Sequence, residues 1–198
     1  MKACTVKAEI VLRAAALILG LLLARALFAQ TYIEERTFIK DGQATPRISG
    51  LISGPISGKL GGFDWFQEEP GYAQTYLGLT YSAKSCLMFA AGLGMEQYAV
   101  SETKQLKTSA RAGGFVWMGN GKQYLLFVPE YGGSGFWWKL EVNRKVNKSV
   151  GIGFLTERYK GSGPRLEYRI PKTRLTIWAA PLFEKQRVNG LFGIRWNL

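Results

Sequence analysis

From Val188 to the C-terminus the chain alternates without a break: Val188, Gly190, Phe192, Ile194, Trp196 and Leu198 fall on one face, and Asn189, Leu191, Gly193, Arg195 and Asn197 on the other. Successive side chains of a strand point to opposite faces of its sheet, so this segment reads as a strand with one greasy face and one mostly polar or small face. Such a ribbon suits a sheet standing between two solvents, and it needs a pairing partner. The same period recurs upstream. Phe136, Trp138, Leu140 and Val142 alternate with Trp137, Lys139, Glu141 and Asn143, and Leu166, Tyr168 and Ile170 alternate with Arg165, Glu167 and Arg169. Further strands are predicted over 72–81, 87–98, 110–118, 122–130, 149–156 and 173–183. Their lengths lie close to the roughly 9–11 residues with which a tilted strand crosses a bilayer.

With the closing strand these make nine, and a tenth is expected within 47–66, where Ile48, Gly50, Ile52, Gly54, Ile56, Gly58 and Leu60 share a face. That first strand is the expected partner of the last, sealing the sheet. Two more strands follow if Gly54-Pro55 is a turn and 32–39 is itself a strand. The connections sort into two alternating sets. One set is short, at 82–85, 119–121, 144–148 and 171–172; the other includes longer segments at 67–71, 99–109 and 184–187. Short turns on one side and longer loops on the other are the habit of membrane barrels, and an even strand count returns both chain ends to the short-turn, periplasmic side.

Ahead of the strands, Lys2, Lys7 and Arg13 precede an apolar run from Ala14 to Ala24 followed by small residues. This is the layout of a secretory signal peptide, and the run falls short of the roughly 20 apolar residues of a spanning helix. Residues 1–29 are therefore expected to be removed, with cleavage after Ala29 and Ala26 as the second choice, leaving 30–198 as one domain. Cleavage lowers the formal net charge from +12 to +9. A basic exported chain meets anionic lipid head groups, phosphorylated glycolipid or anionic solutes, and without a clustered basic stripe nucleic acid is not an expected partner. Only Cys86 remains, so no intramolecular disulfide is expected.

A soluble lipocalin-like barrel for an apolar ligand gives the same alternation with the faces reversed. The aromatics choose against it: Trp65, Phe66, Tyr72, Trp117, Tyr131, Phe136, Trp137, Tyr159 and Trp196 lie near strand ends, as interfacial girdles require. In Gly193, Trp196 and Leu198 the chain end also resembles the C-terminal signature of bacterial outer-membrane β-barrel proteins, although Leu stands where that signature carries an aromatic and Leu191 where a polar residue is common. The resemblance is to the small, porin-like class. It implies an all-β fold, a single antiparallel up-and-down transmembrane barrel of about ten strands with eight to twelve compatible. It also implies a monomer in the outer membrane, with the bilayer as partner and the outer-membrane assembly machinery engaging the last strand.

Histidine is absent, which removes the commonest general base and the imidazole metal ligand together. With a single Cys besides, neither catalysis nor a metal or cofactor is expected. The charges placed on the lumen are Lys139, Glu141, Arg165, Glu167, Arg169 and Arg195. A narrow barrel satisfies such groups by pairing them, and this is the first reading. Their basic excess supports a second, a lining that passes or binds small anions. On the outward loops Lys104, Lys107, Lys160, Lys185 and Arg187 are solvated charges that could contact the phosphates of a surface glycolipid. The Ile-Ser-Gly repeats at Ile48, Ile52 and Ile56 read as small residues that let the sheet bend and leave room inside. Gly119-Asn120-Gly121-Lys122 reads as a hairpin turn, without the spacing of a phosphate loop.

Overall fold

The computed structural model describes residues 30–100 and 105–198. Residues 1–29, expected to be a signal peptide, lie outside them. The described chain forms twelve antiparallel strands: β1 (Gln30–Lys40), β2 (Gln43–Ser57), β3 (Leu60–Glu69), β4 (Tyr72–Lys84), β5 (Leu87–Ala99), β6 (Leu106–Gly119), β7 (Gln123–Gly132), β8 (Gly135–Lys145), β9 (Val150–Glu157), β10 (Gly161–Arg169), β11 (Leu175–Glu184) and β12 (Arg187–Asn197). Each strand pairs with its sequence neighbours, and β1 pairs with β12, so the sheet is a closed barrel without edges.

The two strands beyond ten come from the N-terminal third. The segment 32–39 is β1, and the first greasy segment divides into β2 and β3. The division falls at Gly58-Lys59 and not at Gly54-Pro55: β2 runs on to Ser57, with a bulge between Pro55 and Ser57 and a positive φ of 55° at Gly58. The closing strand therefore has a different partner from the one expected. β12 pairs with β1, Ile33 opposite Trp196 and Glu35 opposite Ile194, because the extra strand lies between β12 and β2. The Leu198 N–H donates to the Thr31 carbonyl at 2.8 Å, so both chain ends sit on one rim, here called the terminal rim.

The expected contrast in loop length is not seen. On the opposite, distal rim, 67–71 shrinks to the Pro70-Gly71 turn and 184–187 to Lys185-Gln186, since β3, β4, β11 and β12 run further than their hydrophobic patterns. Pro70-Gly71, with Gly71 at φ 75°, and Asp41-Gly42, with φ of 51° and 76°, are turns written in their residue types. Only 100–105 remains longer.

Parity sets the faces as expected for a membrane barrel. Leu77, Leu93, Ile152, Leu166, Phe192, Ile194 and Trp196 are exposed on the outer wall, while Glu34, Arg36, Glu141, Glu157 and Arg165 are buried inside. The Ile-Ser-Gly segment takes part in this. Its isoleucines face outward, as do its glycines, and a Cβ on Gly50 would lie 2.3 Å from the Phe66 ring, so Gly50 makes room outside the barrel and not within it.

The aromatics divide differently from the expected girdle. Tyr131, Tyr159 and Trp196 are exposed at the outer surface, but Trp65, Tyr72, Trp117 and Trp137 share parity with luminal residues and turn inward. Trp65 joins Leu51, Phe63, Tyr76, Phe115 and Val128 in one buried cluster, and Leu155, Trp178, Ala180, Leu182 and Leu191 form a second. Glycines on facing strands make this possible. A Cβ on Gly78 would meet the Phe63 ring at 2.4 Å and one on Gly113 the Tyr76 ring at 2.8 Å.

Candidate functional site

The interior charges are numerous and balanced. Arg36, Arg47, Arg111, Lys139 and Arg165 are buried together with Glu34, Glu96, Glu130, Glu141 and Glu157. Unpaired, such groups would not tolerate burial, and each has partners. Arg111 on β6 holds Glu96 of β5 at 2.5 Å and Glu130 of β7 at 2.6 Å. Glu96 also accepts from Ser109 and Ser134, and Glu130 accepts from the Tyr76 hydroxyl at 3.0 Å.

A second network crosses the lumen. Glu157 on β9 accepts from Arg36 on β1 and Arg47 on β2, each at 3.3 Å, although β9 borders neither strand in the sheet. Arg36 lies 3.3 Å from Glu34, Glu34 accepts from Arg195 at 2.7 Å and from the Trp178 indole at 3.1 Å, and Arg195 approaches Glu141 on β8 at 3.9 Å. Glu141 is held by Arg165 at 2.8 Å and by the Tyr124 hydroxyl, with Lys139 at 3.7 Å. The guanidinium of Arg165 stacks 4.0 Å over Trp178 and donates to Glu167 at 2.7 Å. These bonds tie eight strands, β1, β2 and β7 to β12, across the bore.

Five of the six luminal charges expected from sequence thus meet in one network: Lys139, Glu141, Arg165, Glu167 and Arg195. Arg169 does not. It is exposed on the terminal rim, two residues beyond Glu167 on the same face. The residues missed are those that balance the charge, above all Glu34, Arg36, Arg47, Glu96, Arg111, Glu130 and Glu157. For Glu157 a signal was present, since it continues the luminal parity of Gly153 and Leu155.

The outward basic residues separate as well. Lys107 and Lys185 are exposed, and Arg187 pairs with Asp41 at 3.0 Å on the distal rim. Lys104 lies outside the described residues. Lys160 departs from the expectation of a solvated loop charge. Its ammonium turns into the barrel, 2.7 Å from Glu157 and 5.2 Å from the Phe38 ring centre, where the Glu157 carboxylate that Arg36 and Arg47 also hold lies beneath the turn. Burial lowers its pKa to about 8 from 10.5, against the opposing pull of Glu157.

Two cavities flank the crossing network, and no residue lines both. One of about 300 Å3 opens at the terminal rim between aromatic walls, with Lys139, Glu141 and Arg195 at its inner end. The other, of about 280 Å3, lies at the distal mouth among Arg47, Glu69, Arg111, Glu130, Arg158 and Lys160. Around the terminal rim a shallow basin of about 720 Å3 is bordered by Lys122, Arg144, Lys145, Lys148 and Arg169. Among the described residues no group of three His, Cys, Asp or Glu side chains is placed to hold a metal ion.

A closed twelve-stranded sheet with an apolar outer wall and a charged, paired interior is the architecture of an outer-membrane β-barrel. Solved structures with this fold include the KdgM porin, at a TM-score of 0.55 and 14% identity over 84% of this chain and 99% of that one; it has also been solved in complex with disordered oligogalacturonate. They also include outer membrane phospholipase A from Escherichia coli, at a TM-score of 0.54 and 8% identity over 87% of this chain and 90% of that one. No family model and no curated protein sequence matches the chain. At these identities the likeness carries the barrel and not its activity.

Proposed function

We propose that this chain is a non-enzymatic barrel of the outer membrane that serves as a narrow channel for small solutes, with a weak preference for anions. The observation that carries it is the pair of separate cavities reaching inward from the two mouths, divided, among the described residues, by ionic side chains and not by a backbone plug. An interior filled with matched charge admits water and small ions only where side chains yield, so conductance is expected to be low. Because the buried charges balance, the preference for anions is assigned to the terminal mouth and not to the mid-lumen faces. The whole sequence lacks histidine, so the His-based sites used by most barrel enzymes have no counterpart here.

Heat-modifiable mobility of protein recovered from the outer-membrane fraction supports the placement; recovery in the periplasmic supernatant overturns it. In planar bilayers the wild type should show small single-channel steps, and the paired change Arg36→Ala with Glu157→Ala should enlarge them several-fold by opening the crossing network. Silence of both proteins overturns the channel and leaves an envelope structural barrel.

A further inference from the structure

The terminal-side cavity is unlike the rest of the lumen. Membrane barrel interiors are polar, yet this one is walled by Phe63, Trp65, Tyr76, Phe115, Trp117 and Tyr124. Its volume of about 300 Å3 reaches the low end of the roughly 300–1,000 Å3 typical of small-molecule sites. Two polar groups on its walls are buried without a hydrogen-bond partner, the Trp65 indole N–H and the Thr31 hydroxyl. Buried donors are rarely left unmatched, so this wall holds polar groups that the described protein atoms do not satisfy.

The inner end of the cavity has a matching asymmetry. Glu141 is already compensated by Arg165 and Tyr124, and Arg195 is committed to Glu34 at 2.7 Å. Lys139, also buried, has among the described residues the single 3.7 Å ion-pair contact with Glu141, which leaves most of its donor capacity to a ligand. At the same mouth Lys122, Arg144, Lys145, Lys148, Arg169 and Lys172 are exposed, and among the described residues none has a carboxylate within 4.0 Å. Such a cluster raises the local concentration of anions.

The geometry points to a binding site for small aromatic carboxylates, entered from the terminal rim. The rings of the ligand stack among the cavity aromatics and the carboxylate reaches Lys139. The site requires access from one mouth only and stands whether or not the barrel conducts.

The full chain in lipid nanodiscs tests this by titration with naphthoate and with naphthalenemethanol, its uncharged counterpart, against empty nanodiscs. The wild type should bind naphthoate saturably and at least about tenfold more tightly than the alcohol, the scale of a charge-assisted hydrogen bond. Lys139→Met should erase that difference while retaining the alcohol, and Trp117→Ala should weaken both ligands. Binding no greater than to empty nanodiscs, or equal affinity of the wild type for acid and alcohol, overturns the site. So does a Lys139→Met barrel that keeps the wild-type affinity for naphthoate. If Lys139→Met fails to fold, the comparison of the two ligands on the wild type decides alone.

Discussion

The two mouths of the barrel draw on the same cationic residue types and use them in opposite ways. At the distal mouth cations find carboxylates: Arg47 meets Glu69 at 2.8 Å, Lys160 meets Glu157 at 2.7 Å, Lys40 meets Glu184 at 2.9 Å and Arg187 meets Asp41 at 3.0 Å. At the terminal mouth the exposed Lys and Arg side chains have, among the described residues, no such partners. The net positive charge of the described residues is therefore concentrated at one end. Paired charges under cover hold the wall together, whereas unpaired charges in water contribute a field and little stability.

The largest effect should come from the buried side of this contrast. Arg111→Met leaves Glu96 and Glu130 inside the barrel without their shared cation, and the barrel should lose about 3–5 kcal/mol of stability, the usual result of removing one partner from a buried ionic group. Lys148→Gln on the terminal rim should change it by less than about 0.5 kcal/mol. Urea unfolding in detergent, read by loss of the heat-modifiable band, checks both, and equal losses would break the comparison.

Next comes the field itself. Neutralising Lys122, Lys145, Lys148 and Arg169 together to Gln should leave stability near wild type while moving the reversal potential in a salt gradient toward zero. Neutralising Lys107, Lys185 and Arg187 on the distal rim should move it much less. A larger shift from the distal set would assign the selectivity to the wrong mouth.

A separate expected effect is the pH dependence at Lys160, which sits in a turn outside the strands. Burial holds its pKa near 8, below the ordinary 10.5. Between those values the folded protein binds fewer protons than the unfolded chain, so stability should rise with pH across that window. Thermal unfolding followed between pH 7.5 and 10.5 should show this rise in the wild type and a flatter profile in Lys160→Met.

Much of the fold is legible in the sequence. The alternation of Phe192, Ile194, Trp196 and Leu198 against Leu191, Gly193 and Arg195 already defined the wall of β12, and the parity of Lys139 and Glu141 or Arg165 and Glu167 already placed those charges inside. Other features were hidden for a physical reason. The segment 32–39 carries Glu34 and Arg36 on its inner face and Ile33, Glu35, Thr37 and Ile39 on its outer face, so its hydrophobic contrast is weak, and the ten-strand reading, which counts it only in the twelve-strand alternative, pairs the last strand with the wrong partner. Trp65 and Trp117 looked like girdle residues because an aromatic near a strand end fits either face. Both line a luminal cavity whose walls come from β1, β2, β3, β4, β6, β7, β8 and β12, which strand-by-strand reading does not supply.

By itself the sequence determined most of the strands, their two faces and the return of both ends to one rim, because each of these depends on a period of two residues and on an even strand count. Only the tertiary structure decided that Arg36 and Arg47 meet Glu157, that Lys160 folds inward, and that an aromatic cavity ends at Lys139. Those contacts join residues as many as 121 positions apart across a bore, and their partners are set by barrel closure and strand number, which no local pattern encodes.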